Sequence, residues 1–242
     1  MMLELKRFAK SGYLAVAFGL TVLFIVGGYG WQMPAHPDGV GYATCFEGAY
    51  TVYCQFGQLI LSAFAMHYVT GDFAKNHVLF YGELGIGSPG FYLRKVGVMA
   101  ASLVAAYAFC SLVVCALYGD FTLWAGMLLQ ISALIAAYLS VFCCVSQLIG
   151  KFVNAYFIYL VWWLGASVAV AGNTSLAPLI QHFDQNGDLY SETIRHMQDA
   201  GSFLANQGQA IAGCFVYAAA LLAVGTLISL CARRRFLSNG VQ

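Results

Sequence analysis

Apolar residues along this chain fall in long runs, with polar residues gathered between them. Six runs are long enough to cross about 30 Å of hydrocarbon: approximately 13–31, 55–72, 96–118, 121–149, 153–172 and 209–232. They predict an all-α polytopic membrane protein with six transmembrane helices in a single domain, 1–242. The second run is polar for a span, with Gln55, Gln58, Ser62 and His67. The fourth is long, and a tilt or break is expected near Gln130.

The segments between the runs carry their own patterns. Residues 1–11, MMLELKRFAKS, place Met2, Leu5, Phe8 and Ala9 on one helical face and Glu4, Lys6, Arg7 and Lys10 on the others. That is an interfacial amphipathic helix, or else a basic flank that only fixes topology. Residues 32–54 hold Pro34, Pro37, Asp38, Gly39 and Gly41, and predict a turn-rich loop. Residues 173–208 are acidic, with Asp184, Asp188, Glu192 and Asp199. There Asp188 reads as an N-cap, and Ile194, Met197 and Leu204 follow at helical spacing.

The stretch 73–95 predicts a structured elbow. Phe73, His77, Phe80 and Leu84 form one helical stripe, with Lys75, Asn76 and Glu83 off it. Gly85 and Gly87 end that helix. Ser88 and Pro89 then read as the N-cap and first position of the next.

Composition agrees with the pattern: 61% of the 242 residues are hydrophobic and 9% charged, against about a quarter charged in a soluble domain. The basic residues fix the orientation. With the N-terminus in the cytoplasm, the inner side holds Lys6, Arg7, Lys10, Lys75, Arg94, Lys95, Lys151, Arg233, Arg234 and Arg235, and the outer side only Arg195. This positive-inside bias alternates correctly across six spans and puts both termini inside. The apolar run after Lys6, Arg7 and Lys10 lacks a small-x-small cleavage site, so the first span is expected to remain in the mature protein.

Several chemistries are excluded by what is missing. No Asp, Glu, Lys or Arg lies mid-span. A charge there costs about 2.5–3.5 kcal/mol and is kept for a function such as ion coupling. His67 is the one ionisable group well inside a span and has no intramembrane His partner for a haem; a hydrogen-bonded packing residue is expected. There is no GxSG, HExxH or paired-Glu motif for a membrane hydrolase, and no internal repeat of the kind seen in many secondary transporters. None of the eight cysteines is in a CxxC pair. Cys45 and Cys54 share the first outer loop, where either a disulfide or two free thiols fits an oxidising compartment.

With six spans, a basic amphipathic start and an elbow between spans two and three, the chain resembles the permease subunits of ABC-2 type ABC exporters. The resemblance is carried by LELKRFAKS, by the elbow, by Ser88-Pro89-Gly90-Phe91-Tyr92-Leu93-Arg94-Lys95, and by the long outer segment before the last span. Where the family often has Glu and then Gly-Thr, this chain reads Asn76-His77 and Phe80-Tyr81-Gly82-Glu83. In size and bare loops it is most similar to small permeases that export lantibiotics or other antimicrobial peptides, or confer immunity to them.

The resemblance implies a multi-pass protein of a bacterial plasma membrane. It implies two copies of a cytoplasmic ABC ATPase that bring ATP and Mg, a second permease chain, alike or different, and a peptide or other amphipathic cargo; nucleic acid is not among the expected partners. The chain lacks GxxxxGK[ST] and is expected to be no enzyme by itself. Lys75, Asn76, His77, Tyr81, Glu83, Arg94 and Lys95 are the implied ATPase-coupling residues. Export of haem, drugs or polysaccharide-linked lipids stays open within the same fold, as does a channel or scaffold outside it.

Overall fold

The computed structural model describes residues 2–173, 175, 180–185 and 187–232. Arg233, Arg234 and Arg235, counted above among the inner basic residues, lie outside them. Among the described residues every regular element is helical. In chain order these are α1 (Met2–Lys10), α2 (Tyr13–Gln32) with a 3-10 turn at Met33–Ala35, α3 (Tyr42–Gln55), α4 (Gly57–Ala74), α5 (His77–Glu83) and α6 (Ser88–Tyr118). Then come α7 (Trp124–Ile149), α8 (Phe152–Gly172), α9 (Asp188–Met197) and α10 (Phe203–Cys231).

Five of these helices are long and apolar enough to cross a membrane: α2 with its 3-10 turn, α6, α7, α8 and α10 with the turn before it. Their outward sides expose Val26, Phe109, Val153, Phe157, Val168, Val216 and Leu227, as lipid-facing helices do, since hydrocarbon is no worse a solvent for them than the core. α7 is the most deeply buried of the five and packs against α4, α6, α8 and α10. It runs unbroken through Gln130, near which a tilt or a break was expected. The side chain there is absorbed by a hydrogen bond, Gln130 Nε2 donating to the Tyr50 hydroxyl at 3.2 Å.

The largest departure from the sequence reading is α3. Residues 42–54 were expected in a loop; with Gln55 they form a helix whose Cys45, Phe46, Gly48 through Cys54 are buried. Turn signals end at Gly41, which is the N-cap. Beyond it the helix is covered on most sides, so no single apolar stripe betrays it. α3 and α4 meet at a bend at Phe56 and run antiparallel to α2: Tyr13 packs on Phe64 and Tyr68, Phe24 on Tyr53, and Gly28 on Gly48. Cys45 and Cys54 are free and buried. Nine residues along one helix separates them by about 13 Å of rise, beyond the reach of a disulfide. The pairing considered from sequence is therefore corrected.

The α2–α3 crossing depends on two glycines. A Cβ at Gly28 would fall inside the Gly48–Ala49 backbone, and one at Gly48 inside that of Gly28, whereas Gly27 faces open space. Gly28→Val is expected to lower the melting temperature in detergent by several degrees or prevent folding, through overpacking worth about 1–3 kcal/mol or more. Gly27→Val is expected to melt like the parent. Equal melting of the two variants would contradict this packing.

Candidate functional site

Four charged side chains meet where α1, α4, α5 and α6 converge. Glu4 comes from α1, Asp72 from the last turn of α4 and Lys95 from the second turn of α6; each is at most 4% exposed. Arg7, one turn along α1 from Glu4, is a third exposed. The Lys95 ammonium bridges both acids, donating to Glu4 Oε1 at 2.5 Å and lying 2.5 Å from Asp72 Oδ2. Arg7 Nη2 donates to Asp72 Oδ1 at 2.7 Å and Oδ2 at 2.6 Å, and to Glu4 Oε1 at 3.1 Å. Two acids and two bases close to a neutral set, the condition under which ionic groups can be buried at all.

Tyrosines complete it. Tyr68 of α4 donates its hydroxyl to Glu4 Oε1 at 2.5 Å, and Tyr81 of α5 donates to Glu4 Oε2. The Lys95 ammonium lies 3.9 Å from the centre of the Tyr68 ring, a cation–π contact that helps replace lost hydration. His77 Nδ1, at the start of α5, is 3.3 Å from Asp72 Oδ1. Burial pushes the Glu4 carboxyl up, but the charge and hydrogen bond of Lys95, with the Tyr68 and Tyr81 hydroxyls, outweigh it and hold Glu4 at about 2, from an ordinary 4.5. Burial lowers Arg7, and the hydrogen bond and charge of Asp72 and the charge of Glu4 more than reverse it, raising it above its usual range.

The elbow residues divide in a way the sequence did not predict. Lys95 and Tyr81, expected to face a partner, are buried in the cluster, at 1% and 6% exposure. Lys75, Asn76 and Glu83 are exposed; His77 and Arg94 are half-buried. The predicted stripe of Phe73, His77, Phe80 and Leu84 does not hold: Phe80 is 58% and Leu84 53% exposed, while Val78 and Tyr81 point inward. Asn76 adopts a left-handed conformation (φ 56°) that ends α4 and starts α5 afresh. The helical phase of Phe73 is therefore not carried across it. α1 also turns a different face inward than expected: Glu4 and Phe8 are buried and Leu5 is exposed.

The far end of the elbow is held by a second polar group. α6 starts at Ser88 with Gly87 as its N-cap, so Ser88 is not the cap read from sequence. Its hydroxyl instead donates across the bundle to the Ser229 carbonyl of α10 at 2.9 Å. Gln147 of α7 donates to the Ser88 carbonyl at 3.1 Å and accepts from the Ser229 hydroxyl at 3.0 Å. One turn on, the Tyr92 hydroxyl donates to the Ser140 carbonyl at 3.0 Å and sits over Gly225, which has no room for a Cβ. Polar contacts thus tie the elbow to α1 and α4 on one side and, through α6, to α7 and α10 on the other.

Because Glu4 has its carboxyl lowered in the folded state, its stabilisation is complete above the unfolded value of 4.5 and is lost as pH falls towards about 2. The melting temperature of the parent should exceed that of Glu4→Gln at neutral pH, and the gap should close between pH 4.5 and 2. A gap that stays constant across that window would show that the Glu4 charge is not held in the cluster.

The comparisons with known proteins come from sequence, and no solved structure matches the chain. It is 21% identical over 244 residues to the probable peptide export permease protein YydJ of Bacillus subtilis (strain 168), with both chains covered in full. That relationship, with the apolar helices, places it as a multi-pass protein of the bacterial plasma membrane. The match to the family itself extends over residues 1–241, and the chain belongs to the peptide export permease protein YydJ family.

Proposed function

We propose that this chain is the membrane-spanning subunit of an ATP-driven exporter of the ABC-2 type, with a peptide, lantibiotic- or bacteriocin-like, as cargo. Family membership supports peptide export. The observation that carries the energy source is the elbow. α5 is anchored on one face through Tyr81 and Val78, and presents Leu79, Phe80 and Leu84 to solvent on the other. Seven residues cannot hold such an apolar face in water for its own sake; it fits a groove on a cytoplasmic partner. Exposed Lys75 and Glu83 flank the patch. The contact is thus read as mainly apolar, with charges at its rim.

In this reading α3 and α4 together make the second of six crossings, the bend at Phe56 lying within it, and both termini face the cytoplasm. Two copies of a separate ABC ATPase bind ATP and Mg and press on the elbows of two permease chains. The chain supplies no ATP site of its own. The spans lack mid-membrane charges, so the work of export enters mechanically through α5, and the second polar group passes it to α7 and α10.

The test is purification of the tagged chain from its native host. A P-loop ATPase is expected to co-purify, and Phe80→Glu to reduce the recovered ATP hydrolysis at least about tenfold, the effect of spoiling a central apolar anchor. Arg195→Ala, at the opposite end, is expected to leave it unchanged. Absence of any ATPase, or full recovery with Phe80→Glu, would refute the reading.

A further inference from the structure

A cavity opens beside the elbow, between the end of α4 and the start of α8. Its walls include His67, Thr70, Gly71, Ile149, Lys151 and Phe152, and its volume is about 860 Å³, counting the space open to its surroundings. Two of the described lining side chains are basic and none of those described is acidic. The Lys151 side chain makes no ion pair or hydrogen bond among the described residues, and neither does the His67 ring. The hydrogen-bonded role expected for His67 is therefore not filled among the described residues; its exposed ring stands edge-on to Phe152 at 5.5 Å. Asp72, the acid nearest in sequence, is engaged by Arg7 and Lys95 in the charge cluster.

We infer that this cavity binds the phosphate headgroup of an anionic phospholipid from the cytoplasmic leaflet. Lys151 supplies the charge, and the His67 ring supplies an N–H donor in either protonation state. The N–H groups of the first turn of α8 precede its first internal bond, Ala155 N–H to the Lys151 carbonyl, and add to the same anion preference. Gly71 and Gly150 leave the mouth without side chains. What selects a lipid over a free phosphate is an apolar strip that begins one residue beyond the Phe152 wall: Val153, Phe157 and Val161, four residues apart on α8, are 72%, 63% and 55% exposed. An acyl chain lies along that strip when the headgroup is seated. Basic pockets between spans on the cytoplasmic side have the chemistry for such headgroups.

The placement in the inner leaflet rests on the orientation proposed above, but the binding test needs neither ATPase nor cargo, so the two readings can fail separately. The full chain in detergent would be titrated with phosphatidylglycerol and with phosphatidylcholine of identical acyl chains, and bound lipids counted by native mass spectrometry. The expected result is one phosphatidylglycerol preferred about fivefold or more over phosphatidylcholine, the worth of one lysine near an anionic surface. Lys151→Ala and His67→Ala should each reduce that preference, Lys151→Arg should retain it, and Lys6→Glu, an exposed charge on α1, should not alter it. No preference in the parent, equal loss with Lys6→Glu, or displacement of the lipid by inorganic phosphate would each overturn the proposal.

Discussion

The structure depends on one electrostatic constraint: Glu4 and Asp72 are buried together and must be neutralised together. Each alone would be costly away from water. Lys95 between them and Arg7 beside them meet that demand, and in doing so fix four helices in one arrangement. Two of those helices need the help. α1 has nine residues and α5 seven, both short of the roughly 12–15 at which an isolated helix holds its shape in water. Their order is borrowed from the cluster. A buried set of this kind is weak evidence for stability as such, because an apolar replacement can do as well. Its value lies in specifying where α1 and α5 sit.

The elbow is thereby made stiff at both ends. At one end the cluster joins it to α1 and α4; at the other, Ser88, Gln147 and Ser229 join the start of α6 to α7 and α10. α6 itself is a helix of 31 residues, about 46 Å long, which is enough to join this end of the bundle to the other. In the proposed exporter this is what a coupling element requires: an apolar face free for the partner, backed by bonds that leave it little independent movement. The apolar strip of α8 and the basic cavity at its start place lipid next to the same region.

Much of the fold could be read from the sequence, since long apolar runs have few interpretations. The bounds of α7 and α8 were within a few residues, and the Gly-rich break followed by a new helix before Arg94 was foreseen. α3 was missed because the Pro and Gly residues at 34–41 set the reading of what followed, and a helix buried on most sides shows no stripe. The cluster was missed for another reason. Its partners are 65 and 91 residues apart, and sequence cannot pair charges at that distance. A signal existed: Glu4, Asp72 and Glu83 are the only acids in or bordering the segments assigned to the inner side. The elbow stripe failed at one residue, Asn76, whose left-handed backbone resets the helical phase.

The central claim is that Lys95 and Glu4 act as one unit that docks α1 against the elbow. A double-mutant cycle on the purified chain tests it most directly, with unfolding followed for the parent, Lys95→Met, Glu4→Gln and the pair. Removing one partner of a buried pair costs about 3–5 kcal/mol. The double variant should therefore lose less than the sum of the singles, with a coupling of at least about 1 kcal/mol. Additive losses, within about 0.5 kcal/mol, would contradict the account.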